Sequence, residues 1–144
     1  MRESLIILVL CGIAHTALAS PPLSRPQQDY ILHCQGCHGA NGAGTAGHVP
    51  ALRSTFMPLL KVNGGRDYLL RVPGVANTVL KPAATTAVMN WLLSQFNTES
   101  SKESFFSVAE VTAARGEPLL SVRATRGELF ARIRAEKNII LDEY

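Results

Sequence analysis

Cys34-Gln35-Gly36-Cys37-His38 sets two thiols three positions apart and an imidazole directly after the second. Thiols at that spacing can both reach the two vinyl groups of one haem, and the adjoining imidazole then falls beneath the iron. This C-x-x-C-H run is the pattern of covalent c-type attachment. On this reading Cys34 and Cys37 bind the cofactor and His38 is the proximal iron ligand, a neutral imidazole being a common axial donor. Other uses of a C-x-x-C pair fit less well. A thioredoxin-like redox pair belongs in a βαβ setting, and no strand-rich run precedes Cys34. A zinc site needs four ligands. Cys34 and Cys37 with His33 or His48 are the set on offer, without a second C-x-x-C or an H-x-x-x-H to strengthen it.

Met1 to Ala19 reads as an export signal. Arg2 gives a weakly positive start, Leu5 to Ala14 is an apolar run too short to span a bilayer as a mature helix, and Ala17-Leu18-Ala19 is an A-x-A cleavage site. The rival reading is a retained membrane anchor. Leu10, before Cys11, is too large for a lipoprotein cleavage site, so Cys11 is expected to leave with the signal. Of the chain's three cysteines only Cys34 and Cys37 then remain. A periplasmic location without stable membrane insertion follows, in keeping with haem attachment outside the cytoplasm.

The chain has 144 residues, enough for one domain plus an extension, and a formal net charge of +3 with a pI near 9.0. The charge is uneven. Between Ser20 and Thr98 stand Arg25, Arg53, Lys61, Arg66, Arg71 and Lys81 against only Asp29 and Asp67, whereas from Glu99 onward acidic and basic residues nearly balance. The part that carries the motif is the basic part, and its field favours an acidic partner face. No Lys/Arg stripe interleaved with aromatics suggests nucleic acid.

The expected division is a signal over 1–19, a haem-bearing unit over 20–98 and a helical extension over 99–144. Pro26 to Cys34 is expected to be helical, with proline suited to the first helical position and Tyr30, Ile31 and Cys34 on one face. Gly39 to Gly44 is a glycine-rich loop of the kind that lets backbone pass close to a flat cofactor. Arg53 to Val62 and Asp67 to Val72 read as short helices separated by the Asn63-Gly64-Gly65 stop. Val72-Pro73-Gly74-Val75 reads as a turn. Thr85 to Phe96 is a clear helix, with Val88, Trp91, Leu92 and Phe96 as its apolar stripe.

Over about Pro26 to Phe96 these residues resemble the class I (mitochondrial-type) monohaem cytochrome c family. The resemblance rests on Tyr30 four residues before the first motif cysteine, C-x-x-C-H-G with its glycine-rich loop, Pro50, and a last helix with an aromatic, Trp91. It implies an all-α cytochrome c fold around one covalent haem c and its iron. It implies that the Pro50 carbonyl accepts from the His38 Nδ1–H, fixing the tautomer and strengthening donation to iron. It also implies that the last helix crosses the first. One position departs from the pattern. Such cytochromes carry the distal methionine in a Met-Pro pair, and here the pair is Val72-Pro73. Met57, followed by Pro58, Met89 inside the last helix, and His33 and His48 are the remaining donors. Met89 reads first as core packing and the histidines as surface residues, so the sixth ligand stays unassigned. A methionine, a second histidine and an open site have different consequences for potential and reactivity.

Beyond a polar linker from Asn97 to Glu103, Ser107-Val108-Ala109-Glu110 is a capping box, with Phe106 and Val111 as its hydrophobic staple. A helix from Val108 to Arg115 is expected to stop at Gly116-Glu117-Pro118, and a second to run from Val122 to Lys137. Helices this short are marginal alone in water. They must bury their apolar faces on the haem-bearing unit, on each other or on a partner.

No acid–base or nucleophilic constellation stands out, since both cysteines are consumed by attachment and the carboxylates before Glu99 form no pair. The expectation is an electron carrier rather than an enzyme. It would exchange electrons with a redox protein bearing an acidic face, such as a dehydrogenase or an oxidase. The alternatives are a haem enzyme or ligand sensor with an open distal site, and a haem-bearing accessory subunit whose tail docks on a larger complex.

Overall fold

The computed structural model describes residues 22–97 and 104–141. The expected export signal and most of the linker lie outside the described residues. Among the described residues there are eight helices and no strand. No helix there is long and apolar enough to cross a membrane.

Helix α1 (Arg25–His33) starts behind Ser24 with Pro26 in its first turn, where a missing N–H costs nothing. The chain then stays helical. After Cys34, α2 (Gln35–His38) adds one more turn, closed by the His38 N–H donating to the Cys34 carbonyl at 3.0 Å. Gly39 ends it at φ 75°, a conformation that glycine adopts without steric cost. The sequence reading had stopped the helix at Cys34; the motif itself turns out to be a helical turn.

Helix α3 (Leu52–Leu60) turns Leu52, Thr55, Phe56 and Leu59 to one side at three-and-four spacing. It gives way to α4 (Gly65–Arg71) at Gly64, which sits at φ 84°. The stretch expected as a turn is a further single-turn helix, α5 (Pro73–Ala76), with proline at its start. Its fixed φ suits a first helical position as well as a turn. For the same reason α6 (Pro82–Phe96) begins one turn earlier than the apolar stripe suggests. The hydroxyls of Thr85 and Thr86 turn back onto the carbonyls of Lys81 and Pro82. Helices α1 and α6 pack together, with the rings of Tyr30 and Trp91 5.1 Å apart. Tyr30 is further pinned by its hydroxyl, which donates to the Gly39 carbonyl at 2.7 Å.

The two later helices, α7 (Val108–Arg115) and α8 (Val122–Lys137), do not stand apart. Helix α7 packs on α4 and α6, and α8 packs on α3 and α4. Their apolar residues join the same core as those of the first six helices: Val111 and Ile133 are 0% exposed, and Phe106 stands edge-on to Phe56. The expected capping box is present, the Ser107 hydroxyl taking the Glu110 N–H while Glu110 takes the Ser107 N–H.

Polar ties secure this docking. The Arg66 guanidinium donates to Glu110 Oε1 at 2.8 Å and to the carbonyls of Ser104 and Phe105, and it stacks over the Phe106 ring. The Asn90 amide exchanges two hydrogen bonds with the Phe106 backbone, at 2.7 and 3.0 Å. Arg115 donates to the carbonyls of Thr78 and Leu80, and Arg132 to that of Asn63.

The Arg66 guanidinium beside Glu110 holds its carboxyl at about 2, down from 4.5, with Ser107 helping and burial opposing. A depressed carboxyl stabilises the fold above its unfolded value and loses that contribution as pH falls from 4.5 toward 2. Glu110 is 40% exposed, so solvent screening limits the effect to about 1 kcal/mol. Urea melts across that pH range should show the parent losing more stability than Glu110→Gln. Parallel loss in both proteins would remove this pair from the acid sensitivity.

Candidate cofactor site

The site begins where α1 passes into α2. There the helical turn brings the side chains of Cys34, Cys37 and His38 to the wall of one cavity of about 420 Å³. Protein interiors seldom hold voids larger than a water molecule, and ligand pockets of small molecules start at about 300 Å³. The rest of the wall is chiefly apolar, with Leu59 from α3, Leu69 from α4, Val75 from α5 and Val88 and Leu92 from α6.

His38 is aimed by backbone. Its Nδ1 lies 3.2 Å from the Pro50 carbonyl oxygen. That oxygen can only accept, so Nδ1 carries the proton and the Nε2 lone pair is left free. Burial pushes the imidazole below its ordinary range while the Pro50 carbonyl works the other way. The ring is therefore neutral near pH 7, the form in which imidazole ligates metals. Gly44 makes the approach of Pro50 possible. Its N–H donates to the His38 carbonyl at 2.9 Å, and it sits at φ 67°, where a Cβ would lie only 2.7 Å from the Pro50 oxygen. A residue with a side chain there would push Pro50 away from His38.

Neither cysteine is in a disulfide; Cys34 is half-buried and Cys37 exposed. Burial, reinforced by Cys37, pushes the Cys34 thiol up. Thiol–disulfide catalysts need the opposite shift. Among the described residues no three His, Cys, Asp or Glu side chains gather as a metal-holding cluster, so the zinc arrangement weighed from sequence is not assembled. The donor set that is assembled is two thiols and one aimed neutral imidazole on an apolar wall.

The remaining candidate donors separate. His33 and His48 line the cavity but are exposed, so they stand at its rim. Val72 lines it too. Met57 does not: in α3 the residues that reach the cavity are Leu52, Thr55, Phe56 and Leu59, and Met57 lies off that stripe. Met89 does line it and is 3% exposed. Helix α8 adds Val122, Arg126 and Phe130 to the wall. Val122 and Phe130 belong to the apolar side that the sequence gives this helix; Arg126 was missed because an arginine between them reads as a solvent-facing position. Compared with family models, with curated proteins and with solved structures, the chain matches none.

Proposed function

We propose that this chain is an exported class I-type monohaem cytochrome c that carries electrons in the periplasm. Its one haem c would be linked through Cys34 and Cys37, with His38 on the iron. The observation that carries the reading is the meeting of those three side chains, with Pro50 behind His38, on the wall of a single apolar cavity of about 420 Å³. When bound, the haem supplies reversible one-electron exchange at its iron.

The chain's own residues do the rest. Cys34 and Cys37 hold the cofactor edge, and Pro50 keeps the His38 proton on Nδ1 so that Nε2 faces inward. The aliphatic wall excludes water, which lowers the local dielectric around any charge on the iron. Cys37 is exposed, which leaves the attachment edge close to solvent and within reach of a partner. Arg25, Arg53, Lys61 and Lys81 are all exposed, and a partner with an acidic face complements them. Acid-acetone extraction of the purified exported protein is the direct test. The pigment should stay with the polypeptide, and a clean separation of haem from protein would end the c-type assignment.

A second reading, a haem protein with an open distal site, is favoured by Val72 in the cavity wall where a ligating methionine is otherwise expected. Met57→Leu should leave the absorption spectra of both redox states unchanged, because Met57 does not line the cavity. Val72→Met should give low-spin iron, a higher potential and slower carbon monoxide binding to the reduced protein. A parent that is low-spin, refuses carbon monoxide and turns high-spin on Met57→Leu would sink the open-site reading.

A further inference from the structure

A second cavity, of about 520 Å³, opens where α1 and the glycine-rich loop meet α6. Among the described residues it shares only Leu92 with the cofactor cavity, and its size lies within the roughly 300–1,000 Å³ of ligand pockets. Its wall combines two kinds of group. The half-buried Trp91 and the rings of Tyr30 and Phe96 are the aromatic part. The Tyr30 hydroxyl already donates to the Gly39 carbonyl, so that residue offers only its ring. Phe96 reaches the wall because position 42 is glycine: a Cβ there would lie 2.7 Å from the Phe96 ring. The polar part is four carboxamides, Gln27 from α1, Gln35 from α2, Asn41 from the loop and Gln95 from α6. Among the described residues, the side chains of Gln27, Gln35 and Gln95 have no hydrogen-bond partner. Asn41 uses only its oxygen, which accepts from the Ala43 N–H. No charged side chain among the described residues lines this cavity.

We propose that this second cavity binds a neutral saccharide, at a site separate from the cofactor cavity and independent of the cytochrome reading. A charged ligand is disfavoured, because the wall holds no counter-charge and burying an unpaired charge is costly. A wholly apolar ligand would strip water from four carboxamides and return no hydrogen bond. Each carboxamide is donor and acceptor at once. So is each sugar hydroxyl, which replaces a hydrogen-bonded water group for group. The C–H face of a sugar ring is apolar and packs on an aromatic face such as that of Trp91. Flat heteroaromatic ligands fit less well. The planes of Tyr30 and Trp91 are inclined at 46° and form no parallel slot. The amides also come from α1, α2, the loop and α6, around the cavity rather than in the single plane where a flat ring carries its polar edge.

The test is titration calorimetry of the purified exported protein with maltose, cellobiose and N-acetylglucosamine, and with riboflavin as a flat heteroaromatic probe. At least one of the three sugars should bind saturably at a single site. Gln95→Ala should weaken that binding about tenfold, the measure of one or two lost hydrogen bonds, and Trp91→Leu should abolish it. Trp91 packs on Tyr30, so Trp91→Leu could disturb the fold. Gln27→Ala combined with Gln95→Ala then decides, since neither side chain has a partner among the described residues to lose; circular dichroism checks that the double variant is folded. Saturable heat from none of the three sugars would overturn the proposal. Binding of riboflavin alone, lost in the double variant, would overturn it in favour of a flat heteroaromatic ligand. Sugar affinity unchanged in the folded double variant would place the sugar elsewhere and overturn it as well. Acid-acetone extraction that frees the haem would end the cytochrome reading and leave this result standing.

Discussion

Replacing both motif cysteines, Cys34→Ala with Cys37→Ala, is expected to abolish pigment retention on a denaturing gel stained for haem peroxidase activity, while the parent keeps a strong band. Each single variant should accumulate poorly and stain weakly, because one thioether anchors the cofactor but lets it pivot away from His38. The expected magnitude is all or nothing for the double variant, since covalent linkage has no partial substitute once the chain is denatured. The fold gives the physical reason. Cys34 caps the single helical turn that carries Cys37 and His38, all three on one cavity wall, and the motif supplies no third thiol. His38→Ala should behave differently. Both linkages remain possible, so the stain persists, but the iron loses its aimed imidazole and the absorption spectrum changes. A double variant that stains as strongly as the parent would mean that the thiols hold nothing.

A chain ending at Asn97 is expected to lose most of its stability, although Cys34, Cys37 and His38 are all retained. Truncation removes Phe106, Val111, Leu129, Phe130 and Ile133, all buried almost completely in the common core. Each such side chain contributes roughly 1.5–3 kcal/mol, so the five together amount to roughly 7–15 kcal/mol as an upper limit. That rivals the roughly 5–15 kcal/mol by which whole domains are stable. The cut also removes Val122, Arg126 and Phe130 from the cavity wall and takes Phe106 off Phe56. Thermal unfolding followed by circular dichroism should therefore lose cooperativity or drop by about 20 °C or more. A melting temperature equal to that of the full chain would instead favour a tail that serves a partner and contributes nothing to the core. Phe106→Ala isolates one part of the same effect, with an expected cost of roughly 3–5 kcal/mol. It removes the ring that Arg66 covers and that stands edge-on to Phe56.

These two results probe opposite kinds of information. The cysteine–histidine motif was legible because it is local: its residue types and their spacing stand within five consecutive positions, although the helical turn that carries them was not expected. The capping box at Ser107 and Glu110 was legible for the same reason, as were the glycine stops and the apolar stripe of α6. Where local reading missed, the error was also local in kind. Pro73 reads as a turn residue and the α6 stripe starts only at Thr85, yet Pro73 and Pro82 each open a helix; proline serves a turn and a first helical position equally well, and neighbouring residues alone do not say which use the fold makes of it.

Sequence by itself therefore determined an all-α chain, the positions of six of the eight described helices, and the spacing of two thiols and an imidazole. Tertiary structure decided what that turn faces. It brought the Pro50 carbonyl to within 3.2 Å of His38 Nδ1, left Met57 off the cavity while Met89 and Val72 line it, and made α8 part of the wall through Arg126. Each of these depends on how helices distant in sequence rotate and pack. Side-chain spacing tells which residues share a face, but only the packed neighbours tell which face looks inward. A buried arginine shows this most clearly, because its charge marks it as a surface residue until the fold closes around it.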